Sequence, residues 1–249
     1  MDMTNGPLLG KLVRFAIPLG LSGILQLLFN AADIVVVGRF AGSGALAAVG
    51  STGALINLIV NLFIGLSVGT NVLAAQYYGA GHRKDLQETV HTSVLTSLIF
   101  GVVLLVIGIS LADPLLALMG TPEEVLPQAS LYMRIFFLGM PASMLYNFGA
   151  AILRAVGDTK RPLYFLLLSG VVNVVLNLFF VIVLHMDVAG VATATVISQA
   201  ISAGLVVWCL VKVKGDYNLD LKKLRIYKDK LLGMTKIGLP AGIQGASFA

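Results

Sequence analysis

The chain has 249 residues, 57% of them hydrophobic and only 12% charged, against roughly 25% charged in soluble domains. Its mean hydropathy is +0.92 and its formal net charge +5. So few charges cannot cover a water-soluble surface, and apolar runs that are continuous instead of alternating exclude an outer-membrane barrel. The single cysteine, Cys209, excludes an internal disulfide, and no Cys/His cluster points to a metal centre or other cofactor.

Crossing about 30 Å of hydrocarbon takes about 20 helical residues. Six spans are predicted at 12–38, 45–77, 90–112, 127–153, 162–184 and 188–211, and a seventh runs from Leu231 to Ala249. The fold class is therefore all-α integral membrane: a six-helix lobe over 1–211, a charged cytoplasmic linker over 212–230, and the start of a seventh helix over 231–249. The first span carries Asp33 and lacks a cleavage pattern, so it reads as a retained span and not as a signal peptide. Pro18, Pro141 and Pro240 fall inside spans, where neighbouring helices can satisfy the freed backbone groups.

Charge sets the orientation. With a cytoplasmic N-terminus, all of the 17 basic residues except Arg39 and Arg134 lie on inner segments. The outer connections instead carry Asp113, Glu123, Glu124 and Asp187. That asymmetry predicts an inside N-terminus and a multi-pass protein of a prokaryotic cytoplasmic membrane. The basic residues read as topology determinants and not as a nucleic-acid surface.

The end of the chain echoes its beginning. Aligning Pro18 with Pro240 also matches Arg14 with Lys236, Gly20 with Gly242 and Gly23 with Gly245. A repeat of six spans plus a linker describes two parallel lobes related by an axis along the membrane normal, a plan used by secondary transporters. On that reading the chain is one lobe plus the first helix of a second, its partner the missing C-terminal lobe. The full-length protein is expected to be a monomer.

Polar residues within spans are the informative ones. Gln26, Asn30 and Asp33 share one helical face, as do Ser169, Asn173 and Asn177 in the fifth span and Thr195, Gln199 and Ser202 in the sixth, with Ser198 beside them. Asn57 and Asn61 mark the second span, Ser143 and Asn147 the fourth. Singly, such groups read as interhelical hydrogen bonds worth about 0.6 kcal/mol. Five stripes together suggest a shared water-accessible cavity. Asp33, the only acid deep in a span, has no basic partner in a neighbouring span and is expected to bind a proton or a cation. Gly65 and Gly69 form a close-packing step. His82 and His91 read as solvated groups at the cytoplasmic surface and His185 at the outer one. Thr121-Pro122-Glu123-Glu124 reads as a helix start.

Several segments carry a family resemblance. They are Ile17-Pro18 with Asn30 to Gly38, then Ala75-Gln76-Tyr77-Tyr78-Gly79-Ala80-Gly81, then Leu153-Arg154-Ala155-Val156-Gly157-Asp158-Thr159-Lys160-Arg161-Pro162, and finally Val188 to Thr195 followed by Ser198-Gln199. With these the chain resembles the multidrug and toxic compound extrusion (MATE) transporters, DinF-like branch. The resemblance implies twelve helices in two lobes and export of amphipathic, often cationic, small molecules in antiport with H⁺ or Na⁺. It assigns cation coupling to Asp33, Asn173 and Thr195, with Asn177 standing where the branch usually has a second Asp and Phe29 where some relatives have Tyr. Gln26, Asn30, Asn57, Asn61, Asn147 and Gln199 are the expected lining of the substrate cavity.

Oxygen donors around Asp33 would suit Na⁺, whereas proton uptake would be favoured by burial without a basic partner. A flippase for lipid-linked saccharides keeps the architecture but calls for basic groups in the cavity, and Arg134 is the only basic residue in the outer half of a span. A non-transporting, truncated membrane protein is the other alternative. An intramembrane enzyme would need a nucleophile–base pair or metal constellation that the spans do not contain.

Overall fold

The computed structural model describes residues 8–247. The expectations for residues 1–7 and 248–249 lie outside them. All regular structure among the described residues is helical: α1 (Leu8–Val36), α2 (Gly42–Gly79), α3 (Arg83–Leu118), α4 (Leu126–Leu138), α5 (Met140–Ala155), α6 (Lys160–Leu178), α7 (Asp187–Lys212) and α8 (Lys228–Ser247). Five-residue π-helical turns follow α1 (Val37–Ala41) and α6 (Phe179–Val183), and a 3₁₀ turn spans Leu221–Lys223.

Three breaks refine the expected segments. The first two spans run together as one helical stretch of 71 residues, Leu9–Gly79. Straight, that stretch would reach about 107 Å, over three times the hydrocarbon thickness. It divides at the π turn and at Gly42, whose φ of +88° is open to glycine without strain. The halves then find different partners, α1 against α6 and α2 against α5 and α8. The expected fourth span is α4 and α5 bent by 47° about Gly139, where Pro141 cannot continue the backbone ladder. The helix expected from Thr121 starts later, at Leu126, because the Pro122 carbonyl closes a turn with the Val125 and Leu126 amides. Among the described residues, four helical stretches are long and apolar enough to cross a membrane, or five counting the bent pair as one.

Apolar side chains cover the outside of the helices as well as filling the core, and many of the polar side chains within the spans turn inward, the arrangement that hydrocarbon solvent demands. In α6, Ser169, Gly170, Asn173 and Asn177 are buried while Leu168, Val171 and Val175 are exposed. The same inversion fills α3, where Thr89, His91, Thr92, Ser93, Thr96 and Ser97 are all buried. His91 therefore departs from its expected solvated role: its Nε2 accepts the Asp220 amide at 3.1 Å. Thr92 likewise accepts the Tyr227 amide at 3.1 Å. The charged linker is thus strapped to α3. Asn218 ties its other end to α7 by donating to the Val211 and Val213 carbonyls, both at 2.8 Å.

Helix α8 lies along α2 on a seam of glycines. A Cβ on Gly65 would overlap the backbone of Gly242, and one on Gly69 the Met234 carbonyl. At the head of α8, Lys230 is 5% exposed and reaches Asp85 at 2.5 Å, Asp229 at 3.0 Å and the Tyr77 hydroxyl at 3.3 Å. Burial alone would depress its basicity. Hydrogen bonds from its ammonium to Asp85, Asp229 and Tyr77 outweigh that and hold it above the ordinary lysine range.

Candidate functional site

The polar stripes converge where their spacing places them. Gln26, Asn30 and Asp33 of α1 meet Ser169 and Asn173 of α6 and Thr195, Ser198, Gln199 and Ser202 of α7 around a cavity of about 330 Å³. Asn61 closes it from α2, and Ser143 and Asn147 from α5. Of the six residues expected to line a substrate cavity, Asn57 does not. It is exposed on α2, one turn from Asn61, because α2 touches the cavity only through Asn61 and Ile64.

Four groups expected to work together form one chain of contacts. Asn177, fully buried behind the cavity wall, donates its Nδ2 to Asp33 Oδ1 and to Asn173 Oδ1, the latter at 3.3 Å. Asn173 Nδ2 donates to Thr195 Oγ1 at 3.3 Å, and Thr195 donates to the Val191 carbonyl at 3.0 Å. The chain thus crosses from α1 through α6 to α7. Asn177 Oδ1, one step from Asp33, is buried with no hydrogen-bond partner. A carboxylate, and an orphaned oxygen on the amide that bonds it, are hard oxygen donors of the kind that suits a cation or a proton donor.

Among the described residues, Asp33 is the only charged side chain lining the cavity. Arg134, the basic residue a saccharide-phosphate flippase would use, pairs with Asp113 at 2.6 Å, both about half exposed, and is absent from the lining.

Apolar and aromatic groups complete the wall and were not singled out by the polar pattern. Phe29 lies against Gly170, where a Cβ would overlap its ring. Ile64, Leu166 and Tyr146 also line the cavity, and Tyr146 donates to the Pro162 carbonyl at 3.0 Å. Tyr132 of α4 is buried within electrostatic reach of Asp33. Such residues share their type with ordinary core positions, so helix periodicity cannot distinguish them.

The MatE family model matches residues 18–179, and the chain belongs to this family. It is 35% identical over 236 residues, 92% of its own length and 51% of the relative's, to the probable multidrug resistance protein YoeA of Bacillus subtilis. It is 30% identical over 186 residues, 75% of its length and 40% of the relative's, to DNA damage-inducible protein F of Escherichia coli. A crystal structure of MATE in the bent conformation superposes with a TM-score of 0.89 at 29% identity, over 95% of this chain and 53% of that one. The chain spans about half the length of the curated relatives it matches. Family and helices together make it a multi-pass membrane protein.

Proposed function

We propose that the chain forms the six-span N-terminal lobe and opening helix of a two-lobe exporter in the cell membrane, with its N-terminus in the cytoplasm. The lobe handles amphipathic, often cationic, small molecules and exchanges them for H⁺ or Na⁺ by alternating access. The observation that carries this reading is the contact chain Asp33–Asn177–Asn173–Thr195 beside a polar cavity lined by the Asp33 carboxylate and, among the described residues, by no other charge. The similarity to multidrug resistance proteins supports the substrate class.

The lobe's own residues supply the coupling. In the form seen here the Asn177 amide group offers its nitrogen to Asp33 and leaves its oxygen unpaired. A proton on Asp33, or a cation at that carboxylate, removes the need for the amide donor and lets Asn177 present its oxygen instead. Occupancy then changes the hydrogen bonds that tie α1 to α6. Such a ligand shifts the conformational balance only by its difference in affinity for the two states.

The test is efflux of a fluorescent cation from cells lacking their own pumps, using the protein expressed from its complete gene. Wild type is compared with Asp33→Asn at matched membrane expression, with and without sodium. Efflux by wild type and its loss in the variant is the expected result. Equal efflux from both would overturn Asp33 as the coupling group, and the sodium arms would name the ion.

A further inference from the structure

A second hollow, of about 520 Å³, opens where the first residues of α1, the end of α2, the α5–α6 connection and the linker meet. Arg14, Lys160 and Arg161 line it, with Tyr78 and Tyr217 at its sides and one acid, Asp158. That acid is already engaged: its carboxylate meets Arg161 Nε at 3.2 Å and accepts the Arg161 amide at 3.2 Å. Arg14 and Lys160 have no carboxylate within ion-pair distance among the described residues. An adjoining hollow of about 260 Å³ shares Tyr78, Val156 and Gly157 with the first and adds Arg154, a half-buried guanidinium equally without an ion-pair partner.

Simple topology determinants need only lie on the correct side of the membrane, spread over the surface. Here two unneutralised cations, Arg14 of α1 and Lys160 of α6, face one recess with Arg154 of α5 in the hollow beside it, and like charges gather at a cost unless an anion joins them. On the same stretch of α1 as Arg14, Leu9 and Val13 are 77% and 49% exposed, an apolar surface of the kind that acyl chains cover. We infer that this hollow binds a phosphate group, presented by an anionic phospholipid of the inner leaflet or free in the cytosol, with Arg14 and Lys160 as its ligands and Arg154 of the adjoining hollow adding to the positive field. Basic recesses between helices at the cytoplasmic side take phospholipid headgroups by this chemistry.

The experiment is native mass spectrometry of the intact purified protein in detergent micelles, where no extended lipid surface contributes a field. Phosphatidylglycerol is compared with phosphatidylcholine, with and without millimolar inorganic phosphate. The expected result is preferential retention of phosphatidylglycerol, weakened about 25-fold in Arg14→Gln/Lys160→Gln, each cation contributing roughly fivefold. Lys222→Gln/Lys223→Gln, which removes the same charge from the linker outside the hollow, is expected to leave retention within about twofold of wild type. Displacement of the lipid by inorganic phosphate would support the site with free phosphate as its source. Retention unmoved by phosphate would support it with the lipid as source. No preference between the lipids together with no phosphate binding overturns the inference, and so does an equal loss in both double variants.

Discussion

At the scale of single residues, Asn177 has the most consequence after Asp33. Its amide is the only side-chain hydrogen-bond donor to the Asp33 carboxylate among the described residues, and it is itself fully buried. Removing a partner of a buried charged group costs about 1.5–3 kcal/mol. Asn177→Leu is therefore expected to lower efflux by about tenfold or more at unchanged membrane abundance, whereas Asn57→Leu should leave it near wild type. An efflux assay on the two variants checks both, and a normal rate in Asn177→Leu would remove the amide from the coupling chain. Much of this site was legible beforehand, because residues four and seven apart must share a helical face. Which stripes meet across helices follows from packing, and the family resemblance supplied what local periodicity lacks. Asn57 shows the limit: its spacing from Asn61 is correct, but a helix meets a cavity over a finite length. His91 fails for a related reason, since a buried acceptor for a linker amide and a solvated histidine have the same sequence surroundings.

At the scale of elements, the α2–α8 seam joins the helices before the linker to the helix that follows it. Gly65→Val places a branched side chain into the Gly242 backbone, an overlap that the neighbours can relieve only by separating. Overpacking of this kind costs about 1–3 kcal/mol. Limited trypsin digestion should then cleave faster in the linker at Lys222, Lys223 or Arg225, while Gly53→Ala, where a Cβ meets nothing, should digest like wild type. Equal linker cleavage in both would show that the seam does not hold α8. The ion cluster at the head of α8 acts on the same joint. Lys230→Met leaves Asp85 and Glu88 without their buried cation, and because Asp85 is 38% exposed, water restores part of the loss. A decrease in melting temperature of about 5 °C is expected in a thermal-shift assay. The small-residue step at Gly65 and Gly69 was visible in the sequence, but its partner was not. A glycine signals close approach without naming what approaches.

At the scale of the whole molecule, the number of bilayer crossings turns on one joint. The bend of 47° between α4 and α5 decides it. If the pair is one broken span, the loops before α4 and after α6 are separated by two crossings and lie on the same side. If the pair is re-entrant, α6 alone separates them and they lie on opposite sides. Basic residues favour the first arrangement, because Arg154, Lys160 and Arg161 sit at the α5–α6 junction while Glu123 and Glu124 precede α4. Replacing Cys209 by Ala and introducing one cysteine at a time makes the distinction measurable. Glu123→Cys and Met186→Cys should react with a membrane-impermeant maleimide in intact cells, and Lys84→Cys and Lys214→Cys only after permeabilisation. All four positions are exposed, so a silent site reports its side of the membrane and not its burial. Labelling of Glu123→Cys without Met186→Cys would make α4–α5 a re-entrant pair and reduce the lobe by one span. Labelling of Lys84→Cys and Lys214→Cys in intact cells would invert the orientation, and with it the face of the membrane from which Asp33 is reached.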